Sequence, residues 1–568
     1  MSRKTLIVEG LSIEFAGHGV VRELSFTLEP GQSLALVGES GSGKSVTARS
    51  LIGLAGEGAV VRARRLEYGG TDLLALSDRQ WRRLRGKDIG FVLQDALVSL
   101  DPLRPVGKEI LEVLETHDWG DRPSRQERVL ELLDKVGVPE PALRARQRSG
   151  ELSGGLRQRA LIASALALDP GLVIADEPTT ALDATVQAQI LQVLGGIKAR
   201  GSSLLIISHD LAVVAQLADQ VLVLRHGEVV EQGTMAQVLT APQHPYTRAL
   251  LDAVPAEHAR GTRLSPGRES VPVVQQVASE VLLRAVDLGK SYVGPDQRRR
   301  QVVNGVGFEL RAGRTLGIVG ESGSGKTTVA RIALGLLEPD AGQVRFLDQP
   351  WSGAGEARVA EHQRRPLRGE ISVIYQDPLS SFDPRWSVEQ ILADALDVAG
   401  VARANQPSRI GELLRHVRLA PEIARRRPLR LSGGQRQRVA IARAIASNPR
   451  VIVCDEPVSA LDVSVQAQVL DLLADLQQQL GLAYLFISHD LGVIRHVSDD
   501  VLVMRHGEVV EHAPVEQLFE RPQHPYTQRL LGAVPRLPGA GVALQVPPLE
   551  PEDSVWLFDE SRLWKIAI

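Results

Sequence analysis

Cysteine is almost absent, for the 568-residue chain holds one, Cys454. A single thiol excludes a disulfide within this sequence and any zinc or iron–sulfur centre built from several thiolates, and it suits a reducing compartment. Cys454 itself, in an apolar run, reads as a small core residue. Long apolar runs are missing too. No stretch approaches the ~18 residues that span a bilayer, and the opening residues MSRKTLIVEGLSIEF lack the apolar core of a signal peptide. Work at a membrane would need another protein to hold the chain there. Charge of one sign is also lacking. With a net charge of −3 there is no global basic field to draw in nucleic acid, and the arginine runs at 62–65, 81–87 and 298–300 read as solvated faces.

What the chain does have is a second copy of itself. GESGSGKS at 38–45 returns as GESGSGKT at 320–327, LSGGLRQR at 152–159 as LSGGQRQR at 431–438, and PQHPYT at 242–247 again at 522–527. Such register marks a tandem duplication. The reading is a first domain over 1–258, a polar, proline-containing linker over 259–280, a second domain over 281–535 and a proline-rich tail over 536–568. Within each repeat, short apolar runs such as SLALVG (33–38), LVIAD (172–176) and LLIIS (204–208) are separated by helical lengths. These suit parallel strands covered on both faces, so the fold class is α/β.

GESGSGKS follows such a strand and precedes a helical pattern, the context that marks a phosphate-binding P-loop. Its glycines (Gly38, Gly41, Gly43; Gly320, Gly323, Gly325) let backbone N–H groups curl around a phosphate, with Ser40 and Ser322 on the same loops. Lys44 and Lys326 reach the outer phosphates of ATP, the hydroxyls of Ser45 and Thr327 can ligate Mg²⁺, and Thr328 follows as a further nucleotide contact. LVIADEP (172–178) and VIVCDEP (451–457) set two carboxylates at the end of a buried strand, where unpaired charge would cost several kcal/mol. A cation answers that cost. Asp176 and Asp455 would hold Mg²⁺ through its water, and Glu177 and Glu456 would activate the attacking water. The LSGG segments bring neither nucleophile nor metal ligand. They place Ser153-Gly154-Gly155 and Ser432-Gly433-Gly434 where a helix begins, and uncapped N–H groups there hold anions.

The P-loop, a glutamine in FVLQD (91–95) and VIYQD (373–377), then LSGG, DEP, ALD and SHD in that order resemble the ATP-binding-cassette family across both repeats. The resemblance implies two tandem P-loop NTPase domains, each with a mostly parallel core sheet, an antiparallel β-subdomain and a helical subdomain. It implies that Gln94 and Gln376 sense Mg²⁺ and the lytic water, that His209 and His489 contact the γ-phosphate, and that Asp183 and Asp462 are the D-loop residues. Phe15 and Tyr292, by their place ahead of each P-loop, match the aromatic that stacks on adenine. In the family each ATP lies between one domain's P-loop and the other's signature serine, here Lys44 with Ser432 and Lys326 with Ser153. The two copies differ at Leu156, where the second has Gln435.

Two kinds of cassette protein compete: a transporter motor, and a soluble twin cassette of the ABC-F type acting on ribosomes. A short, proline-interrupted linker and an acidic balance disfavour the second. PQHPYTRALLDAVP (242–255) and PQHPYTQRLLGAVP (522–535), with the stretches after Gln94 and Gln376, are similar to the dipeptide, oligopeptide and nickel uptake ATPases. That resemblance implies two transmembrane permease subunits as partners, a periplasmic or lipid-anchored solute-binding protein, and no nucleic acid. It implies a peripheral position on the cytoplasmic face of the bacterial inner membrane. Some relatives carry an iron–sulfur cluster in the extension; with one cysteine, none is expected here. The HPYT turn itself reads as an ordinary helix start with proline at its first position.

Overall fold

The structure, a computed structural model, describes residues 4–94, 99–180, 182–255, 258, 260–265, 280–293, 299–459 and 461–534. The tail over 536–568, residues 266–279 of the linker over 259–280, and part of the stretch after Gln94 lie outside the described residues. The chain forms two compact units, Met1–Leu251 and Asp252–Val534.

The first unit contains β1 (Leu6–Phe15), β2 (His18–Leu28), β3 (Ser33–Val37), β4 (Ala59–Arg62), β5 (Arg65–Tyr68), β6 (Thr71–Asp72), β7 (Ile89–Val92), β8 (Leu172–Asp176), β9 (Ser203–Ser208), β10 (Gln220–Arg225) and β11 (Glu228–Thr234). A six-stranded core sheet runs β11-β10-β3-β9-β8-β7, parallel except for β11. The strands β1, β2, β4, β5 and β6 form a separate antiparallel sheet. Every residue of β3, β8 and β9 is buried, and the period-two alternation of a strand explains why. Leu34, Leu36, Leu172 and Ile174 join Leu6, Val8 and Leu11 of the antiparallel sheet. Ala35, Val37, Val173 and Ala175 join Ile110, Leu132 and Ile162 of the helices Val106–Thr116, Arg122–Lys135 and Gly154–Ala165. One sheet thus separates two cores, each large side chain contributing roughly 1.5–3 kcal/mol by burial.

The second unit repeats the plan with β12 (Val281–Val293), β13 (Arg299–Arg311), β14 (Thr315–Val319), β15 (Ala341–Phe346), β16 (Gln349–Gly353), β17 (Ile371–Ile374), β18 (Val451–Asp455), β19 (Ala483–Ile487), β20 (Asp500–Arg505) and β21 (Glu508–Pro514). Its core order is β17-β18-β19-β14-β20-β21, and β13-β12-β15-β16 form the antiparallel sheet. Cys454 is buried in β18, and burial pushes its thiol pKa up, away from reactivity.

The first described residues of the segment that composition assigns to a linker belong to the second unit. Leu264 is buried in its core beside the helix Val463–Leu480. Its backbone N–H and that of Ser265 donate to Asp471 at 3.2 and 3.0 Å. Arg260 pairs with Asp499, and Arg263 with Asp475. Polar, proline-containing composition reads as a linker, but these arginines find carboxylates far along the chain.

Candidate active site

In each unit the P-loop joins the first central strand to a helix, Lys44–Ser50 or Lys326–Ala333. Gly38 is required by close approach, since a Cβ there would lie 2.1 Å from the Leu224 carbonyl oxygen, and one on Gly320 2.2 Å from that of Met504. Ser40, Gly41, Gly43, Ser322, Gly323 and Gly325 complete the two loops. The Lys44 ammonium donates to the carbonyls of Gly38 and Glu39 at 2.6 and 2.8 Å. Lys326 does the same to Gly320 and Glu321, both at 2.8 Å. Thr328, one residue past Thr327, is buried.

The ends of β8 and β18 bring the acidic pairs to these loops. The Ser45 hydroxyl donates to Asp176 Oδ1 at 2.8 Å, and that of Thr327 to Asp455 Oδ1 at 3.3 Å. Asp176 is fully buried and its Oδ2 has no hydrogen-bond partner. Burial pushes its pKa up against the pull of Ser45. A buried carboxylate oxygen left open beside a serine hydroxyl suits a hard, oxygen-seeking cation such as Mg²⁺.

Glu177 and Glu456 sit just past the strands with φ of 47° and 48°, unusual for non-glycine residues and a form of strain that concentrates at functional sites. Gln94 Nε2 donates to Glu177 Oε2 at 3.1 Å, Thr180 to the same oxygen at 2.9 Å, and His209 Nδ1 lies 3.3 Å from it. In the second unit Gln376 Nε2 donates to Glu456 Oε2 at 2.8 Å and His489 Nδ1 lies 3.1 Å from Oε1. Burial opposes charge on Glu177 and Glu456, yet the bonds from His209 and His489 prevail and both pKa values fall. Burial likewise opposes the His489 imidazolium, but Glu456 holds its pKa above the ordinary value. Residues far apart in sequence thus meet at one carboxylate per unit.

Ser153 and Ser432 are the N-caps of the helices Gly154–Ala165 and Gly433–Ala444. Gly155 lets its helix close on a neighbour, since a Cβ there would lie 2.5 Å from Val186, and one on Gly434 2.4 Å from Val465. Gly154 and Gly433 begin the helices. Asp183 caps the helix Ala184–Ala199 through Val186 N–H at 3.0 Å, whereas Asp462 caps Val463–Leu480 without a side-chain bond. Phe15 ends β1 and Tyr292 is the next-to-last residue of β12, the first strand of each antiparallel sheet, and both are half-buried.

One contact was not legible in the sequence. The hydroxyl of Tyr246, in the HPYT turn, accepts from the Glu39 backbone N–H at 3.0 Å, and that of Tyr526 from Glu321 at 3.2 Å. The recurrence of PQHPYT was the available signal; nothing in it points to residue 39.

The profile described as ABC transporter matches residues 21–180 and 303–459, more than half of the chain. The chain belongs to the ABC transporter family. It is an ABC-type transporter ATPase, which binds ATP, generally with Mg²⁺. A second profile, the C-terminal region of oligopeptide/dipeptide transporters, matches 230–280 and 510–553. Similar proteins include the peptidoglycan transport ATP-binding protein YejF of Agrobacterium fabrum, 44% identical over 93% of this chain and 96% of that protein. The oligopeptide transport ATP-binding protein OppD of Mycobacterium tuberculosis is 42% identical over 94% of this chain and 98% of its own length. The glutathione import ATP-binding protein GsiA of Escherichia coli is 42% identical over 93% and 89%. Among solved structures, an archaeal ribosome recycling factor bound to a ribosomal stalk protein aligns over 88% of both chains with a TM-score of 0.57. At 21% identity, that ABC likeness is one of fold alone. No described helix is long and apolar enough to cross a membrane.

Proposed function

We propose that this chain is the ATP-hydrolysing motor of a bacterial importer of peptides or peptide-like solutes. It docks on the cytoplasmic face of the inner membrane beneath two transmembrane permease subunits, which a periplasmic or lipid-anchored solute-binding protein supplies. The observation that carries this reading is the oligopeptide/dipeptide transporter region present after both cassettes. Relatives named for oligopeptide, peptidoglycan and glutathione transport support it. The ribosome-directed alternative has only a likeness of fold in its favour.

Each repeat supplies half of two ATP sites. Lys44 with Ser432, and Lys326 with Ser153, hold the phosphates of one ATP from opposite sides, the serine through its helix N-terminus. Phe15 and Tyr292 stack on adenine. Ser45, Asp176 and Gln94 in one site, and Thr327, Asp455 and Gln376 in the other, would hold Mg²⁺, which would supply charge neutralisation at the phosphates. Glu177 and Glu456, charged at neutral pH, take a proton from the attacking water, a role typically worth 10²–10⁴ in rate. Gln94 and Gln376 orient that water, and His209 and His489 contact the γ-phosphate while positioning the glutamates. Closure around ATP drives the permeases between inward and outward states.

The deciding experiment is reconstitution with its permeases and binding protein in vesicles. ATP-dependent uptake of a labelled peptide that stops in the Glu177→Gln/Glu456→Gln chain is expected. Co-purification with ribosomes and no permease would overturn the reading.

A further inference from the structure

The importer reading leaves the HPYT turn without a task, yet the turn meets the P-loop of its own unit in both repeats. We propose that Tyr246 and Tyr526 are positioning residues for ATP: each hydroxyl fixes the peptide plane that carries the P-loop lysine, so the C-terminal extension sets how firmly that loop holds nucleotide. This deepens the ATP-site reading and rests on it.

A single planar unit links the two contacts. The Gly38 carbonyl and the Glu39 N–H belong to the same peptide bond, whose atoms move together. Tyr246 Oη accepts from that N–H at 3.0 Å, while the carbonyl on the other side accepts from Lys44 at 2.6 Å. Holding one end of the plane therefore aims the other. The second unit repeats the arrangement between Tyr526 and Lys326, at 3.2 and 2.8 Å.

The tyrosine is itself held. Glu231 on β11 accepts the backbone N–H groups of Gln243 and His244 at 2.7 and 3.0 Å, which pins the turn ahead of Tyr246 to the edge of the core sheet. The Arg225 guanidinium at the end of β10 covers the ring, 4.9 Å from its centre. Glu511 and Arg505 do the same for Tyr526, the guanidinium lying 5.1 Å away. Packing alone would be served by phenylalanine. With Tyr246 and Tyr526 only 7% and 3% exposed, each buried hydroxyl calls for hydrogen bonding, and in both units the loop's N–H donates to it.

The test is Tyr246→Phe with Tyr526→Phe in the full chain, which keeps the ring over its arginine and removes the hydroxyl that accepts from the loop. Equilibrium binding of Mg-ATP should weaken about three- to tenfold, as expected for one hydrogen bond. KM for ATP should rise more than kcat falls, with the melting temperature unchanged. Wild-type affinity in the double variant, or a loss of affinity matched by equal losses in kcat and melting temperature, would overturn the proposal. A wild-type chain that binds no ATP, or a Lys44→Ala/Lys326→Ala chain that binds it normally, would instead overturn the ATP-site reading.

Discussion

Asp219 and Asp499 stand at the same place in the two repeats, and each accepts the backbone N–H of the first residue of a central strand, Ser33 at 2.9 Å and Thr315 at 2.8 Å. Their cations come from different places. Lys198, in the same unit, donates to Asp219 at 2.7 Å. Its counterpart in the second repeat is Gln477, which donates instead to the Thr315 hydroxyl at 2.9 Å, and Asp499 is paired by Arg260 from the connecting segment. The adjoining helix changes with it. Gln192 and Gly196 of the first repeat are matched by Asp471 and Asp475 of the second, which bind the segment's backbone and Arg263. Two copies of one fold can thus keep the same chemistry while one has exchanged an internal cation for a strap.

The most severe test asks whether the repeats, so alike around Glu177 and Glu456, are also alike in catalysis. Glu177→Gln and Glu456→Gln should each lower ATP turnover, and together should abolish it while ATP stays bound, a fall on the order of 10²–10⁴ from the loss of the base. Unequal single effects in a steady-state assay would show a division of labour. Crossing the repeats sharpens this. If the proposed composite sites form, Lys44→Ala and Ser432→Ala strike one of them and are strongly non-additive, whereas Lys44→Ala with Ser153→Ala damages both. Crosslinking of one ATP to both Lys44 and Ser153 would show two independent cassettes.

The strap offers the next largest effect. Arg260 and Asp499 are shielded, with side chains 21% and 14% exposed, against 28% and 47% for Lys198 and Asp219. Arg260→Ala should therefore destabilise the second unit by about 1–3 kcal/mol, the cost of a largely shielded acceptor left wanting, and Lys198→Ala should cost the first unit less. Calorimetry of the full chain measures both; equal shifts would refute the strap.

A pH series tests the pair beside the second P-loop. Glu456 titrates below its ordinary 4.5, despite burial, because His489 bonds to it. Its contribution to stability is present above 4.5 and is lost as pH falls through the lowered value. His489 titrates above its ordinary 6.5, again despite burial, because of Glu456. Its contribution is present below 6.5 and is lost as pH rises through the raised value. The pair should stabilise most between about pH 4.5 and 6.5, and His489→Gln should flatten both limbs of the melting curve against pH.

What could be read from the sequence was contiguous chemistry. GESGSGKS, SGG and the DEP runs each carry in a few adjacent residues the geometry they need: a loop, a helix N-terminus, a strand end. The structure sets Lys44 at the start of the helix after β3 and Asp176 and Glu177 at the end of β8, and the α/β fold followed from the largely apolar runs that became β3, β8 and β9. What was hidden lies in contacts between distant residues. Tyr246 reaches residue 39 across the whole first unit, and Arg260 and Arg263 reach Asp499 and Asp475 from a stretch whose composition spells a loop. The backbone φ of 47° at Glu177 was equally unreadable, because the residue type does not favour it.

The smallest effect belongs to the single departure in the signature segments. Ser432 caps its helix by accepting from Gln435 N–H at 3.3 Å, and Gln435 Oε1 accepts in return from Ser432 N–H at 3.1 Å, a reciprocal capping box. Ser153 has only the first bond, from Leu156 N–H at 3.2 Å, because leucine has nothing to return. Leu156 instead packs against the first unit's helical core. Leu156→Gln should close the box and add about 0.5 kcal/mol of capping, partly offset by the lost apolar contact, while Gln435→Leu should remove the same bond from the second unit. The readout is amide exchange at the first turns of the two helices. Protection should rise at 153–156 in the first variant and fall at 432–435 in the second. Because Ser153 and Ser432 face phosphate in the proposed sites, the exchange should also carry a small shift of ATP affinity toward equality. Leu156→Gln that slows no exchange would mean that the two helix starts are held by something other than their caps.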